Sequence, residues 1–255
     1  MMGNFIENTF GIFLISTLRY FVIAGVAFYL IYKLLPRKFS NAKIQAKHAG
    51  LKEFVFEILH SVQSTAMMSL IAAVVLFSPL RSYTRVYADV GDYGIFYLVL
   101  SVFIALIVHD TYFYWMHRLL HHPRIFKYAH LTHHKSTNPS PWTSYSFHIV
   151  EAAVEGAVLI VLVCLLPMHR FAILGFVFLG FVINVYGHLG YEVMPKWFRG
   201  SILFQWINTS IHHNLHHRKF QGNYGLYFRF WDRMMKTENP SYVNEYDRIQ
   251  NQRFL

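Results

Sequence analysis

The chain has 255 residues, of which 55% are hydrophobic and 14% charged. An ordinary soluble domain carries roughly 25% charged residues, so this composition excludes a disordered chain and argues against a cytosolic globule. Lys plus Arg number 23 against 13 Asp plus Glu, a formal charge of +10, and the basic residues lie between apolar segments rather than in one stripe. That pattern favours an anionic membrane surface over nucleic acid as the charged partner. The single cysteine, Cys164, excludes an internal disulfide and any cysteine-based metal cluster. The 16 histidines have nothing to do with membrane insertion.

Apolar segments run over Gly11–Leu35, Phe54–Phe77, Tyr93–Trp115, Val150–Leu166 and Phe171–Val185. A spanning helix needs about 20 apolar residues. The third segment is clean. The first contains Arg19 and Lys33, the second starts with Glu57 and His60, and the last two are short and joined by Pro167-Met168-His169-Arg170. They read as a hairpin that only just crosses or re-enters. The expectation is an all-α integral membrane bundle of four to five membrane helices. No cleavable leader is expected, because Met1–Asn8 lacks a basic region.

Loop charge sets the expected orientation. Pro36–Lys52 carries Arg37, Lys38, Lys43, Lys47 and Lys52 with no acid, and His117–His148 carries Arg118, Arg124, Lys127 and Lys135 with no acid. These loops are expected on the cytoplasmic side with the C-terminus, and the N-terminus outside. The C-terminal region mixes aromatic and basic residues at Lys196–Phe204 and Tyr227–Met235, as an interfacial helical cap would.

The histidines fall into three clusters: His117-x-x-x-His121-His122, His130-x-x-His133-His134 and His212-His213-x-x-His216-His217. Spacings of three and four put side chains on one helical face, and imidazole is the commonest metal ligand. At a His frequency of about 0.06, an HxxHH pattern arises by chance at roughly two starts in ten thousand; this chain has it twice. All three clusters fall on the inferred cytoplasmic side, and they exceed the needs of one metal. Two adjacent metals are the economical reading. Imidazole alone does not choose between Zn, Fe, Cu and Ni. There is no HExxH and no Glu-x-x-His pair of the soluble di-iron bundles. His48 and His60 stand alone and read as packed or interfacial; His169 lies in the opposite turn. His109 reads as packing, and His122 and His212 as neighbours of ligands.

In this order beside membrane helices, the clusters resemble the fatty acid hydroxylase/sterol desaturase superfamily, closest in motif to sterol desaturase-like members. The likeness includes Asp110-Thr-Tyr-Phe-Tyr-Trp-Met-His117-Arg-Leu-Leu-His121-His122-Pro and His130-Leu-Thr-His133-His134-Lys, with Ser146-Phe147-His148 and Glu151. It continues through Asn184-Val-Tyr-Gly-His188-Leu-Gly-Tyr-Glu192, His213-Asn-Leu-His216-His217, Asn223-Tyr224-Gly225 and Phe230-Trp231-Asp232-Arg233. It covers about Val102 to Thr237. The chain departs from the family pattern at Ile149, where Pro is common, at Met235-Lys236-Thr237, and at Asn184, where some relatives carry histidine.

The resemblance implies a di-iron centre, with zinc able to replace iron on purification, that uses O₂ and two electrons to attack a lipid C–H bond. It implies metal ligands His117, His121, His130, His133, His134, His188, His213, His216 and His217, with His148 ranked last. Asp110, Glu151 and Glu192, then Asp232, are the acids expected to orient ligand rings, and Asn184 is expected to hold a water or support the site. Residues 1–92 then supply membrane helices and a basic loop, and residues 93–255 the catalytic part, in one continuous fold. The lipid enters from the bilayer. No haem, flavin or nicotinamide fingerprint is present in the sequence, and the resemblance implies a separate donor such as a cytochrome b5 or a ferredoxin. The competing reading is a histidine-rich metal transporter or metal-binding protein; that would place ionisable groups along the helices near mid-membrane.

Overall fold

The computed structural model describes residues 2–47 and 49–254; His48 lies outside them. Eleven α-helices are present among the described residues: α1 (Met2–Phe28), α2 (Leu51–Phe77), α3 (Gly94–Leu120), α4 (Pro123–Ala129), α5 (Leu131–His134), α6 (Ile149–Gly156), α7 (Val158–Leu165), α8 (Arg170–Gly187), α9 (Ser210–Lys219), α10 (Phe230–Met234) and α11 (Tyr242–Phe254). Among the described residues, four helices are long and apolar enough to cross a membrane: Gly3–Leu34, in which α1 continues through a wider turn, then α2, α3 and α8. Their outward faces carry Leu14, Leu18, Ile95, Phe96, Ile107 and Leu174, all exposed. In water such a surface would be an aggregation liability; in lipid it is the solvent-facing side.

The segment Val150–Leu166 does not form one crossing helix. It breaks at Ala157 into α6 and α7, of eight residues each. Together they still run the length of the bundle. Their start abuts the histidine layer, while the chain just beyond them, at Met168-His169, pairs in parallel with Val86-Tyr87 of the α2–α3 connection. Counting this bent traverse, the chain passes through the bundle five times. The connections 78–93 and 166–170 then share one end, and 35–50 and 121–148 share the other.

The membrane core gathers Val102, Leu106 and Phe113 of α3, Leu162 of α7 and Phe176 of α8. A second cluster, Phe204, Ile211, Leu215, Tyr242, Tyr246 and Ile249, fastens α9 to α11 in the cap. Buried Glu57 joins bundle to cap: it accepts hydrogen bonds from the hydroxyls of Ser136 (2.8 Å) and Ser140 (2.6 Å), fixing the stretch that follows α5. The N-terminal helices are thus packed into the same body as the rest.

This topology makes Ser82 and Phe171 label from one face of a sealed vesicle, and Lys47 from the other. Single cysteines at those positions, in a Cys164→Ser background, should react with a membrane-impermeant maleimide in that pattern. Labelling of Ser82 and Lys47 from one side would refute it.

Candidate metal centre

Five short structural devices bring the histidines together. His117 lies in the last turn of α3, and His121 caps its C-terminus. His130 sits between α4 and α5, with His133 and His134 in α5. His188 caps the C-terminus of α8, and α9 presents His213, His216 and His217. α9 itself starts from Thr209, whose side chain accepts from the His212 backbone N–H at 3.3 Å, an N-cap that satisfies one free donor of its first turn.

Nine of the ten predicted ligands form two groups, each able to converge on one ion: His117, His121, His130, His134 and His216; and His133, His188, His213 and His217. In the first, the Nε2–Nε2 separations are 3.0 Å (117–130), 3.1 Å (121–134), 3.1 Å (130–134), 3.0 Å (134–216) and 3.2 Å (121–216). In the second they are 2.9 Å (188–213), 3.2 Å (188–217), 3.2 Å (213–217) and 3.4 Å (133–188). Two imidazole nitrogens about 2.0–2.1 Å from one ion, at 90–109° to each other, lie about 2.9–3.4 Å apart. The observed spacings fall in that window.

The tautomers support the fit. Nδ1 donates to a backbone carbonyl in five of the rings: His117 to Tyr224 (2.9 Å), His133 to Ser146 (3.3 Å), His188 to Asn184 (2.9 Å), His216 to Gly222 (2.7 Å) and His217 to Ser136 (3.0 Å). With the proton on Nδ1, Nε2 carries a lone pair. His188 and His217 therefore face each other lone pair to lone pair, which is repulsive unless a cation lies between them. Burial pushes His130, His133, His134, His213 and His217 well below the ordinary imidazole pKa, and His188 and His216 down to about 4. All are neutral, ligand-ready rings at pH 7.

The two HxxHH motifs are interleaved. His130 and His134, one turn apart, go to the first group, while His133 between them goes to the second. In α9 the assignment inverts: His213 and His217 go to the second group and His216 to the first. Each motif gives a chelating pair to one ion and one ligand to the other.

The remaining predicted residues lie elsewhere or act differently. His148 joins neither group; its Nδ1 accepts from the Val150 backbone N–H (3.3 Å) and caps α6. Glu151 Oε1 is 2.8 Å from His130 Nδ1, off the line of a straight hydrogen bond. Asp110 touches no histidine in the two groups. Its Oδ1 accepts from the backbone N–H groups of Leu226 (3.1 Å), Tyr227 (2.7 Å) and Phe228 (3.2 Å). Asp232 likewise holds the N–H groups of Tyr224 and Gly225, and Glu192 accepts from the Tyr186 hydroxyl and the N–H groups of Met194 and Ile211. Asn184 donates Nδ2 to the Ser144 carbonyl (2.9 Å), while its Oδ1 is buried without a partner.

The carbonyls of Tyr224, Gly222, Ser146 and Ser136 escaped the sequence reading. A carbonyl acceptor has no side-chain signature, but the Gly222 turn left a trace. Phe220, Gly222 and Asn223 all have positive φ, and a Cβ on Gly222 would strike the Thr237 carbonyl. Only glycine fits there, and the turn it permits brings its carbonyl back onto His216. Beside this layer, a cavity of about 500 Å³ opens among α1, α2, α6, α7 and α8, with Asn184 and Tyr145 at its histidine end.

Two outcomes follow. A base with a depressed folded pKa binds fewer protons folded than unfolded, so its stabilisation is present above the ordinary value near 6.5 and is lost as pH falls toward the folded value. The metal-stripped protein should hold a constant melting temperature above pH 7 and lose it steadily from about pH 6.5 towards 4; a melting temperature independent of pH over that range contradicts the neutral-ring geometry. His216→Ala and His217→Ala, adjacent in sequence, should each lose about one metal equivalent from different sites, with distinct spectra after cobalt loading. Identical spectra would refute the interleaving.

The family model for fatty acid hydroxylase matches residues 102–237. Lathosterol oxidase of Rattus norvegicus is 31% identical over 238 residues, covering 91% of this chain and 75% of that protein. Lathosterol oxidase of Homo sapiens is 30% identical, covering 87% and 71%. A Delta(7)-sterol 5(6)-desaturase of Gibberella zeae is 32% identical over 179 residues, covering 69% and 53%. No solved structure matches the chain. With the family model spanning more than half its length, four candidate membrane helices and a histidine layer able to bind metal, the chain belongs to the fatty acid hydroxylase family and is a multi-pass membrane oxidoreductase.

Proposed function

We propose that the chain is an O₂-dependent di-iron enzyme that desaturates or hydroxylates a C–H position of a sterol-like lipid. The observation that carries this is the juxtaposition of nine converging imidazoles with an apolar cavity of about 500 Å³ between membrane helices. Two irons held by these rings would supply the oxidising power that cleaves an unactivated C–H bond. The names of the sterol-oxidising relatives favour a sterol-like substrate. The donor set contains no thiolate and no carboxylate in either group.

The balance is the same for both outcomes in electrons. Desaturation removes two hydrogens from adjacent carbons and, with O₂, two electrons and two protons, releases two waters. Hydroxylation places one oxygen atom in the C–H bond and releases the other as water, again with two electrons and two protons. With a single, exposed cysteine, the chain has no ligand set for an iron–sulfur cluster of its own, and a separate carrier such as a cytochrome b5 or a ferredoxin with its reductase supplies the electrons. The chain's residues do the rest. Helices α1, α2, α7 and α8 hold the lipid away from water. Backbone carbonyls fix the tautomers of His117, His133, His188, His216 and His217, and Asn184, which lines the cavity and whose carbonyl accepts from His188, supports the second histidine group or holds a water. The acid-free basic loops favour placing the histidine layer and the C-terminus on the cytoplasmic side.

The metal-transport alternative needs ligands spread along the membrane path, whereas these cluster at one end of the bundle. Protein purified without oxygen should contain about two irons per chain, in keeping with a two-metal site, and with a reducing system should take up O₂ only when a sterol is added. Metal flux into liposomes without O₂ uptake would sink this reading in favour of a transporter.

A further inference from the structure

Fifteen side-chain polar atoms are buried without a hydrogen-bond partner among the described residues, and four belong to residues lining the membrane cavity: Arg19 Nε, Ser69 Oγ, Glu155 Oε2 and Asn184 Oδ1. A buried polar atom left unpaired is costly. Its concentration on one otherwise apolar cavity marks a place built to pair with something that enters.

The chemistry of these atoms narrows the visitor. Glu155, only 9% exposed, spends Oε1 on His109 Nε2 at 3.0 Å. His109 is in turn held at Nδ1 by the Tyr227 hydroxyl at 2.9 Å, and the Tyr227 backbone is pinned by Asp110. Glu155 is therefore oriented in advance, with Oε2 left as an acceptor. On the other wall, Arg19 reaches the Tyr145 hydroxyl through Nη2 at 3.4 Å and has Nε left as a donor. The two walls meet along α8: the Arg19 guanidinium lies over the Phe181 ring at 5.4 Å, and the neighbouring Gly180 lies against the Tyr227 hydroxyl that holds His109. A carboxylate or phosphate head drawn to Arg19 would be set against Glu155, and an amine drawn to Glu155 would be set against Arg19, so neither charge sign gains from both walls. A neutral hydroxyl donates to one and accepts from the other. Glu155 stands one turn along α6 from Glu151, which touches His130. A turn is about 5.4 Å, so the anchor lies at the metal end of the cavity.

We propose that Glu155, oriented by His109, and Arg19 form a subsite that binds the hydroxyl group of a neutral lipid alcohol in the membrane cavity. It makes the enzyme selective for lipid alcohols over fatty acids and phospholipids. This rests on the lipid-oxidation reading above and adds to it the polar group that the substrate must carry.

The test is equilibrium binding of a tritiated 3-hydroxysterol and of its 3-deoxy counterpart to the full chain in nanodiscs, metal-loaded. The wild type should bind the alcohol on the order of tenfold to a hundredfold more tightly than the deoxy compound, the value of a buried hydrogen bond to a charged group. Glu155→Gln and Arg19→Met should each bring that ratio close to one while leaving deoxy binding and metal content as in the wild type. The deoxy compound is the control for folding, because a collapsed cavity would lose it too. Equal binding of both compounds by the wild type, or an unchanged ratio in both variants, overturns the subsite. If the alcohol preference is found but no sterol supports O₂ uptake, the oxidation reading fails and the subsite stands; if uptake occurs with equal binding, the reverse holds.

Discussion

The cap answers to one constraint: nine imidazoles, eight buried and His121 partly so, must be held neutral with their lone pairs turned inward. A buried imidazole that donates from Nδ1 to a carbonyl has Nε2 free, and a layer of such rings is self-repelling until cations enter it. The interleaved HxxHH motifs turn this into a folding requirement. Neither group can form from α5 or α9 alone, since each of these helices contributes to both groups. Docking of α5 against α9, closure of the α3 and α8 ends, and metal binding are therefore coupled, as they are wherever a site is absent from the unfolded chain.

The acids serve the same end indirectly. Glu57, Asp110, Glu192 and Asp232 are all buried, yet none of them takes a proton from a grouped histidine. Glu57, Asp110 and Asp232 accept from backbone and hydroxyl groups of the non-helical stretches 136–140 and 224–228, while Glu192 ties the end of α8 to the start of α9 through Tyr186 and Ile211. Asp232 holds Tyr224 and Gly225, and the Tyr224 carbonyl orients His117. Where the chain leaves helices at membrane depth, its freed N–H groups need partners inside the protein, and a carboxylate can satisfy three at once, as Asp110 does. Six of the thirteen acids are buried, Glu57, Asp110, Glu151, Glu155, Glu192 and Asp232, against one base, Arg229, so the outer surface is more basic than the formal +10 of the whole chain.

The membrane helices were readable because hydropathy is a property of composition over a window. Thus α2, α3 and α8 lie within a few residues of the apolar runs, and the wide-turn continuation of α1 ends within one residue of Leu35. The α6–α7 break was not readable, since a uniformly apolar run gives no sign of where a helix bends. The histidine spacing revealed chelating pairs at i and i+4 but suggested that His130, His133 and His134 act together. Sorting them between two groups depends on how α5 meets α9, a long-range fact. His121, His130 and His188 sit at helix ends, where ring direction follows the cap rather than the helical period. His148 looked like a ligand because it neighbours the second cluster in the family pattern, but an extended residue before a helix places its side chain over the first free N–H groups, and there it caps α6.

The bent α6–α7 traverse also explains how one helix can serve two solvents. Glu151 faces the histidine layer and Glu155, one turn on, faces the apolar cavity. A straight crossing helix on the lipid side would have had to hide both carboxylates from lipid. Breaking after α6 lets these eight residues turn both acids inward against α3, while α7 (Val-Leu-Ile-Val-Leu-Val-Cys-Leu) carries no polar side chain except the thiol. Carboxylates in a membrane are costly unless they face protein or a cavity. Here Glu155 pairs with His109, and Glu151 lies 2.8 Å from His130 Nδ1, so the same short helix links the histidine layer to the apolar cavity.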